Sequence, residues 1–449
     1  MQTHQSSESA AVNRRQFIKS SSLAAASAAA AVSFPSILSA QSKQPIRAVI
    51  IGVGGRGGGA GRDFNEAVKI TGVDGKIVAV ADIFPEQAKR GKENFGVPED
   101  KCFSGFDAYK KALEVPGVNY AILATPPGFR ASHFKACVEA GKNIFTEKPV
   151  AVDGPGIRMF YAAAEESVKK HLKVAAGTQR RHRPSYIETV KRIQDGAIGD
   201  VVALRTYWVN GGPIWHRGDQ GSTDLERQVR NWYHYIWLCG DHICEQHVHN
   251  LDIANWIMKD HPVKCWGMGA RQQLDMEGKS GEIWDNFAVE YQYANGVRLS
   301  SYCGQIKRSW SSVSEAATGA TGIAELHDGR NYIKGKDGKV WKPQGIKDDN
   351  GYVNEHRDLI NAIVNDTPLN EAKQVADTTL TAIMGREAAY SGGEVEWDTI
   401  LNSKFAYGPE QLYTDCSKME WGPFRTLKPP MPSLHDVLKE PPQVPVAKA

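Results

Sequence analysis

The segment Ile46-Arg47-Ala48-Val49-Ile50-Ile51-Gly52-Val53-Gly54-Gly55-Arg56-Gly57 joins an apolar run to glycines spaced Gly-x-Gly-x-x-Gly. An apolar strand followed by such glycines and then by a helix is typical of dinucleotide-binding folds. The glycines permit a tight turn and close approach of the backbone to a pyrophosphate, whose charge the helix N-terminus favours. We therefore expect cofactor contacts from Gly52, Gly54, Gly55, Arg56 and Gly57. A flexible glycine loop without a ligand is the alternative, and the run of glycines at 57–59 predicts a late start of the helix.

Asp82 follows the apolar segment 76–81, which is the second predicted strand. A carboxylate there can accept hydrogen bonds from both hydroxyls of the adenosine ribose and repels a 2′-phosphate, so NAD is favoured over NADP. Arg56 leaves a phosphate contact open. Asp82 lies about 30 residues after Gly52, where about 20 are usual, which predicts a longer loop at 71–75. The alternative is that Asp82 only ends the strand.

Apolar strands alternate with helical stretches over residues 46–150, and this alternation predicts a parallel, doubly wound α/β sheet of the Rossmann type. Further strands are predicted at 120–124 and 143–145, with a helix at 131–140 between them. After a long helix at 154–170, longer alternating strands predict a separate α+β domain with a large, mostly antiparallel open sheet. The predicted strands and late helices of that domain are 201–209, 262–269, 286–293, 298–302, 353–365 and 374–391.

The chain begins with a leader-like segment, in which Arg14 and Arg15 precede an alanine-rich apolar stretch at 21–32 and a small-residue site ends at Ala40. This pattern predicts a twin-arginine signal over 1–40, cleaved near Ala40. It implies export of the folded protein, with its cofactor inside it, to the periplasm or the medium. The alternative is a disordered tail with a chance arginine pair. The apolar stretch is too short and too weakly hydrophobic for a stable membrane span.

Three parts are predicted after the leader. They are a nucleotide-binding domain at 41–170, a substrate and oligomerisation domain at 171–392, and a proline-rich C-terminal extension at 393–449. The 449-residue chain has a formal net charge of +3, with Lys and Arg spread along it. This distribution argues against a nucleic-acid partner. The seven cysteines contain no Cys-x-x-Cys pair, so they suit neither a disulfide scaffold nor a structural zinc site.

Two further motifs follow the glycine fingerprint. They are Ala124-Thr125-Pro126-Pro127, with His133 after it, and Glu147-Lys148-Pro149. Together with the fingerprint they make the chain resemble the Gfo/Idh/MocA family, the group of glucose–fructose oxidoreductase and inositol dehydrogenase, over about residues 45–392. The resemblance implies cofactor contacts from Thr125, Pro126, His133, Glu147 and Lys148.

The resemblance also implies that Lys148 lies near the nicotinamide and the substrate hydroxyl, where a buried lysine can relay a proton or polarise the oxygen. By composition alone Lys148 would be taken for a surface lysine, and only its motif reverses that reading. The family pattern suggests that Pro149 shapes the turn through a cis bond.

A second catalytic element is expected in Glu245-Gln246-His247-Val248-His249-Asn250-Leu251-Asp252, where the family pattern is Asp-x-x-x-His-x-x-Asp. The spacing predicts that Glu245, His249 and Asp252 share one face of a helix, with His242 extending the same stripe. His249 can act as general base, and Glu245 can orient the imidazole. Glu in place of the family's Asp puts the proton path in doubt. In the alternative reading His249 is a structural helix histidine, as His247 on another face is expected to be.

The same histidines raise the question of a metal. His242, Glu245 and His249 can converge as three ligands, the number found in catalytic zinc sites, whereas His247 points elsewhere. Because the resemblance calls for no metal, we predict none.

Aromatic and basic residues of the second domain predict the substrate. Tryptophan faces suit the C–H surfaces of sugars, and the tryptophans clustered here are Trp208, Trp215, Trp232, Trp237, Trp256 and Trp266. Most tryptophans are nevertheless core residues. The substrate-binding residues predicted from this region are Arg180, Arg181, Trp232, Tyr233, His242 and Asp252.

These observations predict an NAD-dependent oxidoreductase, with NADP less favoured, that acts on a secondary hydroxyl or ketone of a sugar, polyol or glycoside. Its cofactor is expected to stay bound. The first alternative is a glycoside hydrolase that oxidises C3 transiently, eliminates the aglycone, adds water and reduces the ketone. A non-catalytic NAD- or sugar-binding module is the second. The resemblance further implies a homo-oligomer.

Overall fold

The structure of the protein is a computed structural model that describes residues 44–211, 215–218, 220–328, 330–347, 349–441 and 443. The signal predicted at 1–40 lies outside these residues. Within the described ranges, no helix has the length and apolar character needed to span a membrane. All seven cysteines are unpaired.

The first domain is built on a parallel sheet. Its strands are β1 Ile46–Ile51, β2 Gly75–Asp82, β3 Cys102–Ser104, β4 Tyr120–Leu123, β5 Asn143–Thr146 and β6 Val174–Ala176. The connecting helices are α1 Gly55–Thr71, α2 Pro85–Phe95, α3 Ala108–Leu113, α4 Pro127–Glu139 and α5 Gly154–Lys169. The strand order is β3-β2-β1-β4-β5-β6, which confirms the predicted doubly wound sheet. Because the order reverses between β1 and β4, a crevice opens at the carboxyl ends of these strands.

Helix α1 differs from two predictions. It begins directly at Gly55 rather than late, and only residues 72–74 separate it from β2, so the predicted long loop is wrong. The additional residues before Asp82 lie in the 17-residue helix itself. Small residues on its inner face allow this helix to approach the sheet closely. A Cβ on Gly61 would lie 2.7 Å from Cδ1 of Ile50, so no larger side chain fits there without a shift.

The second domain contains a larger sheet. Its strands are β7 Val201–Val209, β8 Pro262–Ala270, β9 Asn286–Tyr293, β10 Arg298–Gly304, β11 Ser312–Gly319, β12 Gly322–Leu326, β13 Tyr332–Gly335, β14 Val340–Trp341 and β15 Val395–Glu396. The order is β14-β13-β12-β11-β7-β10-β9-β8-β15. Only the pairing of β10 with β7 is parallel, so the predicted mostly antiparallel sheet is confirmed. The sequence predicted β7 to β10 and missed the five strands that follow.

The remaining α-helices follow β6 along the chain, and some of them pack on one face of this sheet. They are α6 Pro184–Gln194, α7 Asp224–Arg230, α8 Ile236–Cys239, α9 His242–Glu245, α10 Val248–Met258, α11 Gln273–Met276, α12 Gly351–Val364, α13 Ala372–Ser391 and α14 Trp397–Asn402. Helix α10 packs on β7 and β11, and α13 packs on β8 and β9. On the opposite face Met268, Tyr302 and Trp310 are exposed.

The two domains are interleaved along the chain. Strand β6 lies beyond residue 170, where the sequence placed the end of the first domain, and pairs with β5 in the first sheet. Helix α12 then returns from the second domain to pack on α1. The proline-rich tail is docked as well, because the Trp284 indole donates to the carbonyl of Pro430 at 3.0 Å and the His435 ring contacts Glu387 at 2.6 Å.

We expect replacement of Gly57 by Ala to lower the free energy of unfolding by about 3 kcal/mol, because the new Cβ would lie 1.7 Å from the carbonyl oxygen of Gly52. Gly55→Ala is the matched control. A Cβ at Gly55 meets nothing within 4 Å, so stability should be unchanged or slightly raised. Urea unfolding without nucleotide measures both variants, and equal midpoints would contradict the steric argument.

Candidate active site

A cleft of about 470 Å³ opens at the carboxyl ends of β1 and β4 and is closed on its other side by the second domain. Most of the predicted cofactor residues line it, together with all three predicted catalytic residues. Those that line it are Gly52, Gly54, Gly55, Arg56, Asp82, Thr125, Pro126, Glu147, Lys148, Glu245 and His249. Gly57 and His133 lie behind its wall. We call this space the nucleotide cleft.

The glycine turn shapes the start of the nucleotide cleft. Gly52 has φ of +91°, and a Cβ there would lie 2.7 Å from the backbone nitrogen of Thr125, so this position requires glycine. At Gly54 and Gly55 nothing lies within 4 Å of an added Cβ. The backbone at the N-terminus of α1 is therefore open to the cleft, as binding of a pyrophosphate requires.

Asp82 stands at the end of β2 beside this turn. Its carboxylate accepts hydrogen bonds from the backbone N–H of Val53 at 2.8 Å and of Phe84 at 3.0 Å. Burial raises the pKa of Asp82 to about 6, against the opposing effect of these two hydrogen bonds. The carboxyl group lines the cleft where a ribose would lie. The glycine turn and Asp82 together fit a bound NAD.

Arg56 is bound by carboxylates of the protein itself. Its guanidinium hydrogen-bonds Glu147 and lies 3.1 Å from Asp63 and 3.4 Å from Glu355. The same group stacks over Tyr352, 5.0 Å from the ring centroid. The free phosphate contact that the sequence left open for Arg56 is therefore not supported, because its charge balances buried acids.

His133 supports the loop after β4 from behind. Its Nδ1 lies 3.1 Å from the hydroxyl of Thr125, and the ring packs against Tyr109 and Phe129. Burial, with a smaller effect from the charge of Arg130, lowers the pKa of His133 to about 3. His133 is a neutral residue in the wall of a side pocket of about 60 Å³, beside Asp82.

Lys148 connects the two domains at the inner end of the cleft. Its ammonium donates to the backbone oxygen of Glu245 at 2.6 Å and lies 3.4 Å from the carboxylate of the same residue. The bond between Lys148 and Pro149 is cis, as the sequence resemblance suggested. The buried Arg130, which sequence reasoning missed, donates to the carbonyls of Pro149 and Thr125 and so fixes both loops.

The predicted helix carrying Glu245 and His249 is broken. Glu245 ends α9, and His249 lies in the first turn of α10. The break occurs at Gln246 and His247, where the buried His247 imidazole lies 2.7 Å from the Ser301 hydroxyl on β10. Glu245 and His249 still line the same cleft, but Glu245 is paired with Lys148. The predicted relay from Glu245 to His249 is replaced by a contact between Glu245 and Lys148.

The environment of His249 favours its neutral form. Burial lowers the pKa of His249 well below the ordinary value for histidine, and the positive charge of Lys148 acts in the same direction. Burial raises the pKa of Glu245, and Lys148 and Arg130 oppose that rise. A neutral imidazole that faces the cleft can accept a proton. The ring also stacks on Trp208, with centroids 5.7 Å apart.

Of the predicted substrate-binding residues, only Trp232 lines the cleft. Arg180 pairs with Glu315 at 2.7 Å, and Arg181 pairs with Asp252 at 2.9 Å. These charges are paired within the protein, and Arg180, Arg181 and Asp252 do not line the nucleotide cleft.

Two more of these residues, Tyr233 and His242, lie beneath the cleft surface. The Tyr233 hydroxyl contacts Nδ1 of His242 at 3.4 Å and donates to Gln305 at 3.1 Å. Since His242 packs on Tyr233 while Glu245 packs on Lys148, the three ligands of the metal alternative do not converge. No group of three or more such side chains suited to a metal occurs in the part of the chain that the structure describes.

Several residues of the cleft were not predicted as ligands. They are Phe84, Gln87, Arg90, Arg130, Trp208, Arg217, Val229, Arg230, Gln246 and Tyr352. Trp208 belongs to the tryptophan cluster, of which only Trp208 and Trp232 face the cleft. The clustering of tryptophans in the sequence could have indicated Trp208 as a ligand. Arg230 lies two residues before the predicted Trp232, in the same polar segment. Tyr352 comes from a distant segment, so no local pattern could have indicated it.

Comparison with protein families agrees with this geometry. The family model described as "Oxidoreductase family, NAD-binding Rossmann fold" matches residues 46–176, and that of the GFO/IDH/MocA C-terminal domain matches residues 186–325. Together they cover more than half of the chain.

The chain belongs to the Gfo/Idh/MocA family.

Individual relatives are more distant. Inositol 2-dehydrogenase of Rhizobium meliloti (strain 1021) is 26% identical over 50% of this chain and 59% of its own length. scyllo-Inositol 2-dehydrogenase (NAD(+)) of Bacillus subtilis (strain 168) is 26% identical over 47% of this chain and 54% of its own. The chain thus matches somewhat more than half the length of these curated relatives.

Solved structures share the fold. Levoglucosan dehydrogenase in complex with NADH is 16% identical, with a TM-score of 0.66, over 79% of this chain and 99% of its own. Aldose-aldose oxidoreductase from Caulobacter crescentus, complexed with glycerol, is 17% identical, with a TM-score of 0.64, over 78% and 99%.

We expect Asp82→Asn to weaken NAD binding about tenfold, because a charge-assisted hydrogen bond to the ribose is lost. The same change should strengthen NADP binding, since the repulsion of the 2′-phosphate is removed. Val53 and Phe84 donate to different oxygens of Asp82, so the single amide oxygen of Asn keeps one of these two hydrogen bonds and loses the other. The urea unfolding midpoint of the variant is therefore measured beside the affinities, to separate a change in stability from a change in binding. Fluorescence titration with NADH and NADPH measures both affinities. An unchanged preference would show that Asp82 does not select the cofactor.

Proposed function

We propose that the chain is an NAD-dependent oxidoreductase that transfers hydride between the nicotinamide and a secondary hydroxyl or ketone of a sugar, polyol or glycoside. The observation that carries this proposal is that Lys148, Glu245 and His249 line the same cleft as the glycine turn and Asp82. The names of the inositol dehydrogenase relatives support a polyol or sugar substrate.

Lys148 and His249 have different roles in the proposed reaction. When bound, NAD supplies the hydride acceptor. Lys148, oriented by two contacts with Glu245, holds the reacting oxygen by a hydrogen bond. The neutral His249 accepts the hydroxyl proton during oxidation and returns it during reduction. The apolar faces of Trp208 and Trp232 hold the carbon face of the substrate ring.

Export and assembly are part of the same proposal. The twin-arginine pattern supports release of a folded protein into the periplasm or the medium with NAD retained. The open sheet face supports a homo-oligomer, because Met268, Tyr302 and Trp310 would otherwise leave a broad apolar surface in water. Sedimentation at micromolar concentration tests the assembly, and a monomer would contradict it.

Redox-neutral glycoside cleavage is the second candidate. It requires one group to carry the hydroxyl proton and another to remove the proton next to the ketone. The cleft offers two such carriers, His249 and the Lys148–Glu245 pair. The two functions differ in their products. Exchange of solvent deuterium at C2, with aglycone release and no net NADH, favours cleavage, whereas stoichiometric NADH or a reduced second sugar favours dehydrogenation.

Lys148→Ala should reduce turnover by at least about a thousandfold while NADH binding, followed by fluorescence, stays within a few fold of wild type. Lys142→Ala is the matched control, because this lysine contacts the backbone of Val118 away from the cleft. Turnover of the Lys148 variant at the wild-type rate would remove the catalytic assignment and favour a binding module.

The pH dependence of oxidation follows from His249. Protonation removes the base, and because the pKa is well below the ordinary histidine value, the acidic fall of kcat/KM should lie below about pH 6.5. Activity measured from pH 4.5 to 8 tests this, and NMR titration with His249→Gln assigns the imidazole signal. A fall centred at pH 6.5 or above would contradict a buried, neutral base.

The nucleotide content decides between retained and exchangeable cofactor. The protein is purified from the periplasmic fraction of cells that express the full chain and is then denatured, and the supernatant is examined by mass spectrometry. We expect about one NAD or NADH per chain. Protein that is found only in the cytoplasm, or that carries no nucleotide, would contradict export with retained cofactor.

A further inference from the structure

A helix from outside the first domain, α7, contributes to the wall of the side pocket next to Asp82. Asp82, Ile83, Thr125 and Pro126 form its inner wall, and Val229 of α7 lines both this pocket and the nucleotide cleft. In a dinucleotide-binding sheet the acidic residue after the second strand lies at the adenosine ribose. The adenosine half of NAD is thus expected at the Asp82 end of the nucleotide cleft, next to the side pocket, and α7 lines this end through Val229 and Arg230.

Helix α7 is also held to the rim of the first domain by its last residue. The guanidinium of Arg230 lies 4.1 Å from the centroid of Phe84 and pairs with Glu86 at 2.9 Å. Phe84 is the residue whose N–H donates to Asp82. A contact of α7 therefore fixes the loop that positions the ribose-binding carboxylate.

The C-terminal tail reaches the same loop. The indole of Trp421 stacks on Phe84, with centroids 5.6 Å apart, and contacts Phe106 at 4.7 Å. Phe84 lines the nucleotide cleft and Phe106 lines the side pocket. Trp421 lines neither, so it acts on the nucleotide site through these two rings.

The tail and α7 form one connected structure. The N–H of Leu225 donates to the carbonyl of Gly422 at 3.2 Å, and the Gln228 amide donates to the carbonyl of Arg425 at 2.9 Å. On the other side of the pocket, Lys110 of α3 pairs with Asp415 at 2.8 Å, and Ser132 of α4 donates to the carbonyl of Leu412 at 2.9 Å. The tail is therefore anchored to the first domain and to α7. We call residues 224–230 together with residues 412–422 the clasp.

The position of the clasp has a kinetic consequence. Phe84 and Val229 line the Asp82 end of the nucleotide cleft; Val229 belongs to the clasp and Phe84 stacks on Trp421, so adenosine bound there leaves past residues that the clasp includes or contacts. Tail residues 412–422 lie outside both matched family regions, which end at 176 and 325. This part of the restraint is an addition to the matched family domains.

We propose that the clasp is a cofactor-retention element, in which Trp421 is a positioning residue that slows dissociation of NAD and NADH from the adenosine side. The proposal rests on the NAD-dependent function above, but it concerns release of nucleotide and not turnover. The clasp gives a structural basis for keeping one NAD bound through many catalytic cycles in a compartment that has no supply of free NAD.

The test uses the full chain loaded with NADH. Dissociation is followed by the loss of nicotinamide fluorescence after mixing with excess NAD. Trp421→Ala should increase the dissociation rate about tenfold or more, since an aromatic stack and its buried area are lost. Trp421→Phe keeps a stacking ring and should stay within about threefold of wild type. Leu438→Ala, which alters an exposed apolar residue elsewhere in the tail, should leave the rate unchanged.

Hydrogen exchange gives an independent measurement on the wild-type chain. We expect the slower dissociation to come from tighter binding. Because linkage between binding and stability is reciprocal, NADH then stabilises the clasp, and amide exchange in residues 224–230 and 412–422 should slow when the nucleotide is added. Equal dissociation rates for wild type and Trp421→Ala, or unchanged exchange in both segments, would overturn the proposal. If Trp421→Ala does not fold, the exchange experiment on the wild-type chain decides. A chain that binds NADH behind the clasp but oxidises no sugar would refute the proposed function alone.

Discussion

Lys148 of the first domain donates to the backbone and lies beside the carboxylate of Glu245 in the second domain, and the arrangement of the site depends on this contact. Both residues are nearly buried, and removing one partner of a buried pair costs about 3–5 kcal/mol. The contact therefore joins the two domains beside the cleft and determines the direction of the ammonium group.

Neighbouring charges make this burial possible. Glu147 lies next to Lys148 and binds Arg56, which in turn contacts Glu355 of α12. Polar contacts thus run from the reacting end of the cleft to a helix that the chain contributes more than two hundred residues later. Burial and the charge of Glu147 raise the pKa of Glu355 well above the ordinary value, whereas Arg56 opposes that rise. Since α12 packs on α1, the first domain is complete only when the second has folded beside it. Cofactor binding and the catalytic contacts are consequently built on one connected set of polar contacts.

Short-range patterns in the sequence predicted much of this. The apolar run before Gly52 and the alternation that follows determine the first sheet, because they depend on local backbone geometry and burial. The family motif placed Lys148 in the cleft. The break before His249 could not be predicted, since it depends on a hydrogen bond between His247 and Ser301 on a distant strand. For the same reason Arg181 and Asp252 were assigned to the substrate, when each is the other's partner.

Burial of the cysteines affects how the folded protein reacts with oxidants. Six of the seven thiols are buried, and burial raises the pKa of each of them. Thiolate is the form that attacks disulfides and oxidants, so the folded chain presents only the partly exposed Cys102 to an oxidising solvent. An unfolded chain would present all seven and could cross-link in many wrong combinations. For this sequence, the order of folding and oxidation therefore determines whether oxidation damages the protein.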